Sequence, residues 1–144
     1  MKLLSPLQIG SMTVKNRVVS TAHGAFFDFY NPESDGERYI GYQARRAQGG
    51  TGLIICTAMH VHRSSQRQGQ FLYRRDDLIG KYRRLVSEVH PHGCRILQQI
   101  YHYGAVGKSE GRDDLQPLWG LSGTVTSEGE AAHEMTAEEI EEVI

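Results

Sequence analysis

Three short strand-like runs, beginning at residues 17, 52 and 95, constrain this chain more than any other feature, the third passing from Ile96 and Leu97 into a polar cluster of Gln98, Gln99, Tyr101 and His102. They read RVVSTA, GLIICTAM and RILQQIYH, and they recur at intervals of roughly 40 residues, enough for one strand, loop and helix. Each interval carries a helical pattern. Residues 37–48 place Ile40, Ala44 and Ala47 on one face ahead of a Gly49-Gly50 stop. From Asp76-Asp77 onward, Leu78, Tyr82, Leu85 and Val89 form a second stripe, widened by Ile79 and Val86, and Pro91 ends it early. The aspartates suit the positive end of that helix, as His90 and His92 suit its negative end. Strand alternating with helix predicts a parallel α/β sheet with right-handed crossovers. The second run, 52–59, is apolar throughout, as a strand buried on both faces must be.

Around this frame, residues 3–15 (LLSPLQIGSMTVK) alternate apolar and polar positions about a Gly-Ser turn, predicting a β-hairpin that caps something larger. Residues 105–135 read as a long loop, of a length expected of a functional lid or of a partly disordered segment. Thr136 to Glu139 form a capping box opening a helix, EEIEEVI, inside which the sequence stops at Ile144. Three strands cannot close a barrel, which needs about 250 residues. The chain is therefore either a compact open sheet or the first part of something longer, and the interrupted helix favours the second.

Composition removes several classes. The 16 basic and 17 acidic residues give a net charge of -1 without a basic block, which argues against nucleic acid as a partner. No apolar run approaches the roughly 20 residues of a membrane span, and no leader is evident, so the expectation is a cytoplasmic protein. Cys56 and Cys94 are too few for a cluster and are expected as buried reduced thiols.

In parallel sheets, ligands collect at the carboxyl ends of strands. Those ends offer Thr21 and His23, then Thr57, His60 and His62, then Gln99, Tyr101 and His102. One reading is a metal site of His60, His62 and His102, although no carboxylate accompanies them as a general base. A second is a flat aromatic cofactor, taking backbone donors and acceptors from Thr21-Ala22-His23, close approach at Ala58, and a two-sided amide from Gln99. A flavin edge of carbonyl, N–H and carbonyl is what such an amide matches. The plainer alternative is exposed loop histidines and a satisfied glutamine; His90 and His92 belong to a helix end and His133 to the long loop. No catalytic residue is assigned.

SPLQIGSMTVKNRVV, RRAQGGTGLIICTA, HPHGCRILQQIYHYG and EMTAEEIEEVI, in this order over nearly the whole chain, resemble the N-terminal part of the Old Yellow Enzyme family of flavin-dependent oxidoreductases. The resemblance implies a (β/α)8 TIM barrel with a hairpin closing its bottom and FMN at its top. Residues 1–144 would then be the hairpin and the first three βα units, with strands near 17–22, 52–59 and 95–102, incomplete in this chain. The family's flavin-contacting strand exit falls on Thr21, Ala22, His23 and Gly24, its small residue on Ala58, and its flavin-binding glutamine on Gln99, with His102 and Gly104 completing a Gln-x-x-His-x-Gly motif. The Thr-Ala-His exit is more similar to the branch of trimethylamine dehydrogenase and 2,4-dienoyl-CoA reductase, whose iron–sulfur cluster and extra nucleotide-binding part lie beyond these residues.

Three positions depart from the family pattern: Phe26 stands where some members have an active-site tyrosine, Gln98 where an apolar residue is usual, and Tyr103 where a small one is. The substrate-binding His pair, flavin-contacting arginine and phosphate grip belong to later strands. The implied activity is hydride transfer from NAD(P)H or an amine through FMN to an acceptor such as an activated C=C bond. The implied partner is a small-molecule substrate, with self-association or a missing C-terminal part as the other candidates. The rival expectation is an inactive fragment whose third strand leaves an apolar edge open.

Overall fold

The computed structural model describes residues 2–25, 27–65, 75–112 and 114–144; Phe26 and most of the polar loop after the second strand lie outside them. The chain is α/β. In order it forms a hairpin of β1 (Leu7–Ile9) and β2 (Met12–Val14), then β3 (Val19–Ser20), α1 (Glu37–Gln48), β4 (Leu53–His60), α2 (Asp77–Val89), β5 (Arg95–Tyr101), the two-residue strands β6 (Trp119–Gly120) and β7 (His133–Glu134), and α3 (Ala137–Val143). The central sheet has the order β3-β4-β5. β3 and β4 run parallel with Val19 opposite Leu53 and Ser20 opposite Ile54. The bonds Arg95 N–H to Gly52 O and Val61 N–H to Tyr101 O advance along β4 and β5 in the same direction, so this pair is parallel too.

The chain divides into two compact units: the residues up to Ala58 with Asp76–Gln99, and Met59–Arg75 with Ile100–Ile144. In the first unit, α1 buries Tyr39, Ile40, Gln43, Ala44 and Ala47, and α2 buries Leu78, Lys81, Leu85 and Val89. Phe29 is 0% exposed among Tyr30, Tyr39 and Tyr82, whose ring centroids lie 5.2, 4.8 and 5.1 Å away. Both cysteines are buried, as expected, and burial pushes the Cys56 thiol up to about 11, which makes it an inert core residue. The hairpin sits at the amino-terminal ends of the strands. Lys15 Nζ donates to His92 O at 2.5 Å and Arg95 Nε to Thr13 O at 3.3 Å, both beside the start of β5.

Several expectations change. The first strand is two residues long rather than six, because the ladder gives way to side chains. Past Ser20, the Thr57 N–H of β4 goes to the Tyr39 hydroxyl and Thr57 Oγ1 to His23 O. The third strand is less buried than its composition suggests, with Leu97 44% and Ile100 56% exposed, because β5 is an edge of the sheet. On α2, Ile79 does not widen the buried stripe but is 50% exposed. Its expected place is taken by Lys81, three residues after Leu78, whose Nζ donates to Phe29 O at 2.9 Å and Asn31 O at 2.6 Å. The stem packs while the ammonium satisfies the carbonyl of buried Phe29 and, beside it, that of Asn31. Pro91 lies within a 3-10 turn, His90–His92, that directly follows α2.

In the second unit, the stretch expected as a loop contains the parallel pair β6 and β7, Trp119 opposite His133 and Gly120 opposite Glu134. Two-residue strands leave no periodicity to recognise. The capping box forms as expected: Glu139 N–H donates to Thr136 Oγ1 at 3.2 Å, and Thr136 N–H to Glu139 Oε2 at 2.8 Å.

Candidate functional site

All six residues of the expected cofactor platform, Thr21, Ala22, His23, Gly24, Ala58 and Gln99, lie in the first unit at the carboxyl ends of β3, β4 and β5. Thr57 anchors them. Its N–H donates to Tyr39 Oη at 3.0 Å, its carbonyl accepts from Tyr30 Oη–H at 3.1 Å and from Gln98 Nε2 at 2.7 Å, and its Oγ1 donates to His23 O at 2.9 Å. Tyr82 Oη–H in turn donates to Gln98 Oε1 at 2.7 Å. Burial holds the phenols of Tyr30, Tyr39 and Tyr82 above their ordinary range, so they act as neutral donors and acceptors at any physiological pH.

The two adjacent glutamines of β5 therefore have different work. Gln98 is committed at both ends of its amide. Gln99, on the opposite face, is exposed, and its amide makes no hydrogen bond among the described residues. At the first exit the carbonyls are taken internally: Thr21 O by His23 Nδ1 at 2.9 Å, and His23 O by Thr57 Oγ1 and by Ala25 N–H at 2.8 Å. What this turn leaves unpaired among the described residues is its N–H groups together with the Ala22 and Gly24 carbonyls. Ala58 is half-buried and offers only a methyl group. An amide left unbonded among the described residues, with a donor end and an acceptor end, fits the carbonyl, N–H and carbonyl edge of a flavin ring, and the small Ala58 leaves space for such a ring.

The histidines of the metal reading lie in the second unit, and each uses both ring nitrogens within the protein. His60 Nδ1 meets Ser65 Oγ at 3.0 Å and its Nε2 meets Tyr101 Oη at 2.9 Å. His62 Nδ1 meets Ser64 Oγ at 2.7 Å and its Nε2 meets Glu142 Oε1 at 3.1 Å. His102 Nε2 meets the same Ser64 Oγ at 2.8 Å, and its Nδ1 accepts the Gly104 N–H at 2.9 Å. Since Gly104 can only donate and the Glu142 carboxylate can only accept, the order of donors is settled from both ends. His102 Nε2–H donates to Ser64, Ser64 O–H to His62 Nδ1, and His62 Nε2–H to Glu142. Among the described residues, no group of three or more His, Cys, Asp or Glu side chains is arranged to hold a metal ion. His60, His62 and His102 are hydrogen-bonding residues here.

Burial, then His62 and Arg112, holds the His102 imidazole below its ordinary range. His102 is therefore neutral in the folded chain at a pH where the unfolded chain, with an ordinary value of about 6.5, already binds a proton. The stability this contributes is complete above about pH 6.5 and is lost as pH falls through the folded value, ahead of the carboxylate transitions. Urea unfolding between pH 8 and 5 should show this decline, and His102→Gln should flatten it; an unchanged slope in the variant would rule His102 out as its source.

The sequence does not show what braces these strand ends, the hydroxyls of Tyr30 and Tyr39 and the amide of Gln98 meeting at Thr57, with the Tyr82 hydroxyl behind Gln98. One signal was available. Strand alternation turns one of two neighbouring glutamines inward, and an inward amide must find partners.

The sequence matches the NADH:flavin oxidoreductase / NADH oxidase family over residues 2–144. It is 32% identical to N,N-dimethylglycine/sarcosine dehydrogenase of Chromohalobacter salexigens over 97% of this chain and 20% of that protein. It is 30% identical to NADH oxidase of Thermoanaerobacter brockii over 99% of this chain and 22% of that protein. The chain thus spans about a fifth of these relatives. Among solved structures, morphinone reductase in complex with tetrahydroNAD superposes with a TM-score of 0.79 at 23% identity, covering 99% of this chain and 43% of that one. The old yellow enzyme homologue from Zymomonas mobilis superposes with a TM-score of 0.76 at 21% identity, covering 99% and 42%.

Proposed function

Because the chain belongs to the NADH:flavin oxidoreductase / NADH oxidase family, we propose that residues 1–144 are the N-terminal portion of a flavin-binding (β/α)8 domain and supply one wall of an FMN site in an NAD(P)H-dependent oxidoreductase. The observation that carries this reading is the contrast between Gln98, whose amide is used at both ends, and Gln99, whose amide has no hydrogen bond among the described residues and stands at a strand end. Gln99 would bond the pyrimidine edge of the ring through its amide, the Thr21 to His23 exit would support the ring near N5, and Ala58 would leave room for close approach. When bound, FMN supplies the capacity to take a hydride from a reduced nicotinamide, or from an amine as in the dimethylglycine dehydrogenase relative, and to pass electrons to an acceptor. The chain's own part is to bind and orient the ring, while Tyr30, Tyr39 and Tyr82 keep the strand ends fixed beneath it.

The substrate is a small molecule. An iron–sulfur centre, if the protein has one, draws its thiolates from outside this chain, whose two cysteines are both buried. No helix among the described residues is long and apolar enough to cross a membrane.

The test is FMN titration of the full-length protein, followed by flavin absorbance and fluorescence, with Gln99→Leu beside the parent. Loss of both amide bonds should weaken FMN about tenfold or more, on the basis of roughly 1 kcal/mol for each. Thermal stability should be unaltered, because Gln99 supports nothing in the fold. Unchanged affinity and unchanged reduction potential in the variant would remove Gln99 from the site.

A further inference from the structure

Beside the platform, α1 carries Tyr42 and, one turn on, Arg46. Arg46 stacks on the Tyr42 ring, with the guanidinium carbon 3.4 Å from its centroid, and donates to the Tyr42 hydroxyl oxygen and, at 3.3 Å, to the Tyr42 carbonyl. The Tyr42 hydroxyl meets His23 Nε2, and His23 Nδ1 lies 2.9 Å from Thr21 O. The direction of every bond in this chain follows from its ends. A guanidinium only donates, so the Tyr42 oxygen accepts from it and turns its own proton toward His23. A carbonyl only accepts, so His23 carries its proton on Nδ1 and presents a bare Nε2 to the phenol. The order is Arg46 to Tyr42 to His23 to Thr21. It runs from the rigid body of α1 into the turn that, on the flavin reading above, faces the cofactor.

We propose that Tyr42, oriented by Arg46, is a positioning residue. It holds His23 in the single Nδ1–H tautomer, and through it keeps the Thr21 carbonyl occupied within the turn, so that the turn from Thr21 to Gly24 can meet the ring with its N–H groups. Nothing in the packing requires the hydroxyl. Tyr42 already sits edge-on to Phe27, ring centroids 5.2 Å apart, and 5.6 Å from the His23 ring, contacts that phenylalanine would keep. The hydroxyl's remaining purpose is to satisfy Nε2. Without it, the Thr21 carbonyl alone favours Nδ1–H, and the ring has lost one of its two anchors.

The inference rests on the proposed flavin site, and the experiment separates the two. Histidine 15N NMR of the full-length protein reads the His23 tautomer with or without FMN, and FMN titration reads the platform. The parent should show His23 as the Nδ1–H form only. Tyr42→Phe should mix the tautomers and weaken FMN on the order of fivefold, the worth of one net hydrogen bond. Arg46→Leu should act in the same direction, whereas Arg46→Lys, which still donates, should restore both readouts. A pure Nδ1–H tautomer in Tyr42→Phe would overturn the proposal, and so would mixed tautomers with unaltered FMN affinity. If the parent itself takes up no FMN, the flavin reading fails, and the tautomer comparison still decides whether Tyr42 positions His23.

Discussion

Phe29→Ala is expected to destabilise the protein by about 3–5 kcal/mol, at the upper end of large-to-small core substitutions. The reason is where the ring sits. It is fully buried against three tyrosines, and the adjoining Gly36 leaves no side chain that could swing into the space: a Cβ there would come within 2.8 Å of Phe29 Cδ2. The lining is made of Tyr30, Tyr39 and Tyr82, each held by its hydroxyl to Thr57 or Gln98, so the walls cannot collapse without breaking those bonds. A melting temperature lower by roughly 10 °C or more would follow from that loss. The effect also reaches function. The hydroxyls that brace Thr57 and Gln98 hold the strand ends on which Ala58 and Gln99 stand, so FMN binding should weaken in the variant even at temperatures where it remains folded. Calorimetry and flavin titration measured together would check this. A stable variant with normal FMN affinity would show that the aromatic cluster is not what supports the site.

The frame of the fold was legible because it rests on local pattern. The continuous apolar run of β4, the bounds of α1, the capping box of α3 and the hairpin each follow from residues within one element, where period and caps suffice. That Thr21 to Gly24, Ala58 and Gln99 stand at strand ends was legible from the apolar runs that precede them, and they fall in one compact unit. The rest depends on partners far apart in sequence. That Lys81 belongs in the buried stripe follows only from Phe29 and Asn31 needing a donor, about fifty positions away. That Ile79 faces solvent follows from what packs beside α2, which composition does not reveal. The histidines gave the least. His60, His62 and His102 look alike in the sequence, as ligands or as loop residues, and only the serines and Glu142 meeting their nitrogens identify them as a hydrogen-bonded set.

Gly52→Ala tests the other end of the strands. A Cβ on Gly52 would lie 2.6 Å from Asn16 O and closer still to Asn16 Oδ1. Asn16 cannot yield. Its Nδ2 donates to Gly50 O at 2.8 Å and its Oδ1 accepts the Val18 N–H at 3.1 Å. The added methyl can be accommodated only by drawing β3 away from β4, against the bonds from Gly52 N–H and Leu53 N–H to Val18 O, 3.0 and 3.3 Å long, that fix their register. The expected loss is about 2–3 kcal/mol, typical of overpacking a well-packed interior. Gly41→Ala supplies the control. Gly41 lies within α1 with nothing inside 4 Å of its Cβ position, and alanine there should stabilise by about 0.5–1 kcal/mol through helix propensity alone. The two substitutions add the same methyl group, so an opposite sign isolates the close approach of the β3 and β4 backbones as the cause. Since that approach sets the height at which Thr21 and Ala58 leave the sheet, the loss in Gly52→Ala should be accompanied by weaker FMN binding. A Gly52→Ala protein as stable as the parent would mean that the register of β3 against β4, and with it the alignment of the exits, is held by something other than this contact.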